Sequence, residues 1–385
     1  SPLLTRLVTP EEFGLVAVFS ALVGIAGVAA GLRYEYAVPL AAADEDAAAI
    51  AAVVVLTSAG LAALAAGLVW LCGGWFVERL DAAPLAPWLW LLPPAIFVWG
   101  SGSALSYWSV RHHTYGVSAI NRTLQLGTQT AGQLGAGFAG WGAPGLIIGY
   151  LLGYLTRLGH YVALLPAADR RMLFAWRWQR WRAVGREHWR YPAFSLPSGL
   201  LAQIIQLGPA IIIAAMFGPA VAGFFALAQR VVGLPIRMLS EAAGQVFLGE
   251  LRGLERPALR RLFRRMVVLF AGLGITGMLP FMLFAPSLFE FVFGDGWAEG
   301  GVLVQLLIPL YIARFVDLPV SQLFNVLNHH QLGLLLTFLR ALALVASFSI
   351  GAALALSTFE TILIFSVLST VAYIYRLFRC WQILC

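Results

Sequence analysis

Residues 47–73 read AAAIAAVVVLTSAGLAALAAGLVWLCG, 27 residues without a charge. A helix of roughly 20 apolar residues crosses a bilayer core of about 30 Å, so this stretch is long enough to span a membrane. Similar runs recur near 14–40, 87–109, 114–139 and 143–165, then near 193–217, 219–249, 263–286, 299–326, 331–355 and 360–383. None alternates with the period of two that a membrane barrel requires, and backbone groups in lipid must bond within their own segment. The expected fold is therefore an all-α polytopic membrane protein with eleven spans. The opening SPLLTRL reads like the end of one more apolar helix, so a first span is expected to be largely missing.

Composition agrees with that reading. The chain has 385 residues, of which 60% are hydrophobic and 11% charged. Soluble domains carry about 25% charge, so too little is present to coat a globule, and disordered, collagen-like and disulfide-scaffold classes are excluded. All 25 basic residues are arginine, and the net charge is +7. Cys72, Cys380 and Cys385 form no CxxC pair or zinc-type spacing, so neither a metal nor redox chemistry is expected. Cys72 reads as a small buried apolar residue.

The arginines orient the chain, because cytoplasmic loops collect basic residues. One set of loops with the C-terminal tail holds sixteen: Arg111, seven in 166–192, six in 250–265, Arg376 and Arg379. The opposite set holds only Arg79, alongside Glu11, Glu12, Glu78, Asp81, Glu290, Asp295, Glu299 and Glu360. The C-terminus is thus expected in the cytoplasm and the TPEEFG turn outside. Segment 166–192 interleaves arginine with tryptophan, a pattern also used on nucleic acid. Phe174, Trp178 and Trp181 fall at i, i+4, i+7, however, and so suit a stripe at headgroup level with arginines on anionic lipid.

This segment separates two similar halves. Pro10, Gly14 and Ala17 recur as Pro219, Gly223 and Ala226 at a constant offset of 209 residues. The offset equals six spans, an even number that preserves orientation and gives parallel repeats. The expected organisation is an N-terminal lobe at 1–165, a cytoplasmic linker at 166–192 and a C-terminal lobe at 193–385.

Five strings resemble a known family. They are Ser1–Gly14 (SPLLTRLVTPEEFG), Leu32–Pro39 (LRYEYAVP), Phe194–Ser198 (FSLPS), Ala228–Pro235 (AQRVVGLP) and Phe293–Gly300 (FGDGWAEG). In this order they resemble the polysaccharide-type flippases, the O-antigen and lipopolysaccharide biosynthesis translocases of the multidrug/oligosaccharidyl-lipid/polysaccharide exporter superfamily. The resemblance implies two six-helix lobes around a central cavity that opens alternately to either side of a bacterial inner membrane. It also implies a cargo of oligosaccharide on an isoprenoid pyrophosphate, moved from the cytoplasmic to the periplasmic leaflet. The missing first helix departs from the family pattern.

Eight arginines remain within spans: Arg6, Arg33, Arg122, Arg157, Arg230, Arg237, Arg314 and Arg340. Arginine at a helix centre costs roughly 2.5–3.5 kcal/mol on insertion scales, so such residues should face the interior, a wet cavity or a partner. Arg6 ends a span and Arg157 can snorkel. The other six, Arg33, Arg122, Arg230, Arg237, Arg314 and Arg340, are the candidate substrate-binding residues. At about 1.5 Å of rise per residue, Arg230 and Arg340 fall near mid-membrane and the other four in the cytoplasmic half. Arg237 with Glu241 and Arg314 with Asp317 have spacings at which opposite charges meet on one helix face. Glu35, two residues from Arg33, does not. Counting all three carboxylates as ionised leaves three positive charges in excess, which a bound anion would balance. Guanidinium forks hold phosphate oxygens bidentately.

Enzyme readings find little support. Asp44-Glu45-Asp46 has the DxD form of metal-dependent glycosyltransferases, but on a loop of a few residues it reads as a solvated acidic turn. No Ser/His/Asp set, P-loop or HExxH string occurs. The expected function is a flippase without cofactors. Its expected partners are an anionic lipid-linked oligosaccharide, membrane lipids and a coupling ion, with no nucleic acid. The alternatives are a drug/cation antiporter of the same fold, which an acidic cavity would suit better, and a membrane glycosyltransferase or polymerase, which needs a larger extramembrane loop. The arginine asymmetry predicts that single cysteines at Ala298 and Ala183, in a cysteine-free background, label from opposite sides of the membrane. Labelling of both from one side would overturn the span count.

Overall fold

The computed structural model describes residues 2–173, 175, 177–250, 256–320 and 330–384. By internal contacts the chain forms two compact units, Leu3–Ala220 and Val221–Cys385. The first holds α1 (Pro2–Thr5), α2 (Pro10–Ala30), a 3-10 segment (Tyr34–Leu40), α3 (Asp44–Arg79), a second 3-10 segment (Ala83–Leu91), α4 (Leu92–Arg111), α5 (Tyr115–Phe138), α6 (Gly142–Leu164), α7 (Ala167–Leu173), α8 (Trp178–Glu187) and α9 (Leu196–Phe217). From α10 (Pro219–Ala228), which straddles the division, the chain continues through a π-helical turn (Gln229–Gly233), α11 (Leu234–Glu250), α12 (Arg256–Phe293), α13 (Ala298–Val320), α14 (His330–Ala353) and α15 (Thr358–Leu384). Among the described residues there is no strand, and nine helical stretches are long and apolar enough to cross a membrane. Every expected span carries a helix, although 321–326 of the span near 299–326 lies outside the described residues.

Polar residues mark where helices begin and where they meet. The TPEEFG turn is a capping box: Glu12 N–H donates to Thr9 Oγ1 at 3.2 Å and Thr9 N–H donates to Glu12 Oε2 at 2.8 Å, with Pro10 in the first turn. The same device starts α15, where Ser357 N–H and hydroxyl donate to Glu360 Oε2 at 2.9 and 2.7 Å. Some acidic residues of the arginine-poor side are therefore helix caps, satisfying the free N–H groups that every helix start leaves. α5 and α6 are not among the nine apolar stretches, and polar side chains of α5 bond to the backbone of α6: Asn121 donates to the Arg157 carbonyl at 3.1 Å, and Gln133 to that of Leu146 at 3.2 Å. Their backbones approach so closely at Gly149 that a β-carbon there would lie 2.7 Å from the Gln133 nitrogen.

In the second unit a proline is compensated across a helix pair. Pro286 has no N–H, so the Met282 carbonyl one turn earlier loses its helical donor. Gln305 of α13 supplies another at 2.9 Å. Gly301 allows the crossing, because a β-carbon there would run into the Ala285 carbonyl. The FGDGWAEG string closes this end: Gly294 and Gly296 take positive φ values of 102° and 87°, and buried Trp297 meets Phe224 edge-on at 5.9 Å.

One expectation fails at 166–192 and another is refined. The acidic triplet is exposed, as expected, but it opens α3 and is not free of partners. Arg111 holds Asp44 at 2.8 Å, Arg177 holds Glu45 at 2.9 Å, and Arg180 bonds both Glu45 and Asp46. Nor is the tryptophan stripe lipid-facing as a whole. Trp181 and Val184 are buried in a cluster with Tyr34, Val38, Ile50 and Trp108, and the Tyr34 hydroxyl donates to the Gly185 carbonyl at 2.9 Å. Trp108 Nε1 donates to Asp169 at 3.1 Å, which ties α7 to α4. Trp178, Arg182, Arg186 and Trp189 are exposed, and Phe174 lies outside the described residues. The segment is thus docked on the first unit by an apolar face, with charges closing the rim. Exposed, salt-screened ion pairs contribute little singly, but three share this rim, so losing them should raise local opening several-fold. The double variant Glu45→Gln/Asp46→Asn should therefore be cleaved faster by trypsin within 166–192 in inverted membrane vesicles, an effect that high salt reproduces in the parent protein. Unchanged cleavage would show that the apolar face alone holds the segment.

Candidate functional site

The span expected at 14–40 is broken. α2 stops at Ala30, Leu32 and Arg33 adopt left-handed φ values of 48° and 66°, and the chain resumes as the 3-10 segment. Such conformations in non-glycine residues cost about 1–3 kcal/mol each and persist only where their surroundings impose them. Here Ala37 and Val38 anchor the far side of the break, both fully buried against α3 and α4. The break carries Arg33 to the side of α9. Its guanidinium lies against Gly199, where any β-carbon would collide with it. Nη1 donates to the Tyr36 hydroxyl at 2.7 Å, and the group sits 5.1 Å from the centre of that ring. Tyr107 packs edge-on against Tyr36 at 5.1 Å. The Arg33 Nε is buried without a hydrogen-bond partner, and so is Oε2 of the adjacent Glu35. No ion pair joins the two among the described contacts, as the spacing predicts.

A second group forms within the other unit. Asp317 of α13 is 1% exposed and pairs with Arg376 of α15 at 3.2 Å. This corrects two expectations. Arg376 belongs to a span rather than to the cytoplasmic tail, and Asp317 finds its ion-pair partner on another helix rather than in Arg314 three residues away. Arg314 and Arg340 nevertheless act on the same carboxylate. Arg340 of α14 also donates from Nη2 to the Tyr373 hydroxyl at 2.6 Å and stacks 4.4 Å from that ring's centre. Asp317 thus pairs with one arginine and lies in the field of two more. Removing one partner of a buried pair costs roughly 3–5 kcal/mol, so Arg376 is a strong structural element as well.

The remaining candidates are dispersed. Arg230 is partly buried in the π-helical turn between α10 and α11, an irregularity frequent at functional sites, and no side-chain partner is described for it. Arg237 is partly buried on α11 and engaged, while the Glu241 side chain lies outside the described residues. Arg122 is exposed on α5. The structure therefore sets Arg314 and Arg340 in the field of one carboxylate and Arg33 in an aromatic pocket of its own. Arg157 does not simply snorkel: its Nε lies 3.9 Å from where a β-carbon on Gly102 of α4 would stand, beside Tyr154, which stacks on Trp99 at 4.9 Å. Arg157 and Arg376 are the residues that sequence reasoning set aside. The signal for Arg376 was Asp317, a carboxylate deep in a span that required a partner. Among the described residues no group of three His, Cys, Asp or Glu side chains could hold a metal.

Comparison with known proteins places this geometry. The sequence matches the family model described as polysaccharide biosynthesis protein over residues 3–300. No curated protein sequence matches it. Its fold is similar to an inward-facing multidrug-resistance MATE-family transporter of the MOP superfamily, with TM-score 0.79 and 16% identity over 100% of this chain and 94% of the other. It is also similar to the lipid II flippase MurJ in an inward closed conformation, with TM-score 0.74 and 12% identity over 98% and 84%. The all-α fold is thus similar to that of these two transporters, and the chain belongs to the polysaccharide biosynthesis protein family.

Proposed function

We propose that this protein is a flippase that carries a polyprenyl-pyrophosphate-linked oligosaccharide from the cytoplasmic to the periplasmic leaflet of a bacterial inner membrane by alternating access. The observation that carries this reading is the excess of guanidinium over carboxylate inside helical spans, clearest where Asp317 pairs with Arg376 and lies also in the field of Arg314 and Arg340. Uncompensated positive charge at that depth is unfavourable, and an anionic cargo supplies the missing charge only while it is bound. Pyrophosphate offers several oxygens to guanidinium forks, and the glycan needs no fixed charge of its own. The matched family model supports a role in polysaccharide biosynthesis, and the MurJ-like fold supports a lipid-linked cargo.

In this reading Arg33, Arg230 and Arg340 contact the cargo, while Arg122, Arg237 and Arg314 add to the field that attracts it. Lobes at 1–165 and 193–385, joined by the 166–192 linker, move against each other, with the C-terminus cytoplasmic and a coupling ion driving the cycle. The MATE-like fold keeps a drug/cation antiporter as the second reading. Cationic cargo would require the charge balance to have the opposite sign.

Each charge-assisted hydrogen bond contributes about 1.5–3 kcal/mol, so loss of one should weaken binding roughly 10- to 100-fold. Arg230→Lys and Arg340→Lys should support partial glycan export in a flippase-deficient strain, and the corresponding glutamates none, at equal membrane levels. Lysine keeps the charge but loses the planar fork. Full export by a well-expressed Arg340→Glu or Arg230→Glu would remove that residue from recognition. Resistance to cationic drugs without glycan export would favour the antiporter.

A further inference from the structure

One flank of α8 is left uncovered by the first unit. The helix buries Trp181 and Val184 against that unit, and Arg177 and Arg180 close the rim on Glu45 and Asp46. Trp178, Arg182, Arg186 and Trp189 follow one another at steps of four, four and three residues, so they line a different flank over about 16 Å, from the first residue of α8 into the turn after it. Trp178 and Trp189 are each 53% exposed. Arg182 and Arg186 are exposed too, and among the described contacts neither has an ion pair or hydrogen bond. Glu187, the only carboxylate of α8, is about 100° further round the helix than Arg186 and falls off this flank.

The neighbours of α8 fix the level at which this flank lies. Trp108 in the last turn of α4 bonds Asp169 of α7, and the first three residues of α3 bond Arg111, Arg177 and Arg180. The chain enters the segment from the end of α6 and leaves it into the start of α9. Four helices thus begin or end beside it, and three of them, α3, α4 and α9, belong to stretches long and apolar enough to cross a membrane. That is the level at which spans leave the bilayer. Tryptophan is favoured there, because its ring is apolar and its N–H polar, and arginine is drawn to anionic headgroups. We propose that Trp178, Arg182, Arg186 and Trp189 form a binding surface for anionic phospholipid headgroups, with the two rings seated among the headgroups and the guanidiniums between them on phosphate. Phosphatidylcholine carries the same phosphate with its charge cancelled by choline, so charge selects the anionic lipid. The surface is not the stripe that spacing suggested, whose third residue, Trp181, packs against protein. Lipid on one flank and protein on another would hold the linker from two sides, whatever the cargo.

The test uses the full chain with its three cysteines replaced by alanine and bimane attached at Gln179→Cys, an exposed position beside Trp178 and one turn before Arg182. Cys72 must be replaced because, contrary to its reading as buried, it is exposed on α3. The protein is placed in nanodiscs of phosphatidylcholine with or without phosphatidylglycerol. A headgroup-nitroxide phosphatidylcholine serves as the quencher in the membrane, and acrylamide as the quencher in water. Phosphatidylglycerol should raise nitroxide quenching several-fold and lower acrylamide quenching. An arginine near an anionic surface strengthens binding about fivefold, so Arg182→Gln/Arg186→Gln should weaken the response roughly 25-fold, to near the phosphatidylcholine level. Arg182→Lys/Arg186→Lys should keep most of it, and Arg261→Gln/Arg264→Gln, which removes the same charge from exposed positions of α12, all of it. Quenching indifferent to phosphatidylglycerol, an undiminished response in Arg182→Gln/Arg186→Gln, or an equal loss in the α12 variant would overturn the proposal. So would full acrylamide access with no nitroxide quenching in phosphatidylglycerol discs, which would leave this flank in water as a surface for a soluble protein.

Discussion

The structure is governed by the difficulty of keeping guanidinium inside a bundle whose other walls are hydrocarbon. An arginine at mid-membrane cannot release its proton, so each needs an opposite charge, an aromatic face or a hydroxyl. All three solutions occur. Asp317 supplies a carboxylate to Arg376, and Tyr36 and Tyr373 offer both ring face and oxygen to Arg33 and Arg340. The tyrosines satisfy an N–H without cancelling the charge. The guanidiniums on Tyr36 and Tyr373 therefore keep their charge, which in the proposed function is what receives an anion.

Backbone irregularity appears where this charge is presented. Arg33 follows a break with two left-handed residues, and Arg230 lies in a π-helical turn. Irregular backbone at membrane depth is tolerated where protein buries it or where it lines a cavity, and many transporters place their binding sites at such breaks. The break at Arg33 has a further result: it moves the guanidinium off the line of α2 and onto Gly199 of α9.

The helices were legible in the sequence because each buries its own backbone bonds and needs only apolar length to form. Hence 47–73 and its counterparts predict the observed helices, most of them to within a few residues; α3 and α12 run up to seven residues past the expected ends, and α2 is broken. There, Leu32–Pro39 is apolar enough to continue a span, but Pro39 and the anchored pair Ala37 and Val38 favour a tighter turn. What spacing could not reveal was pairing between elements. Asp317 and Arg376 are 59 residues apart, and the partners of Asp44–Asp46 lie on α4, α8 and just before α8. A rule for one helix face finds only neighbours three or four positions away. The linker's tryptophans misled for a related reason, since an amphipathic face looks the same whether it meets lipid or protein.

The most direct test of the account is translocation by the purified protein. Proteoliposomes would carry a polyprenyl-pyrophosphate-linked oligosaccharide bearing a fluorescent sugar, with a membrane-impermeant quencher reporting the leaflet. The account predicts protein-dependent movement of the labelled glycan between leaflets, abolished by Arg340→Glu, and no movement of a lipophilic cationic dye. Transport of the dye with the labelled glycan left in its original leaflet would contradict it.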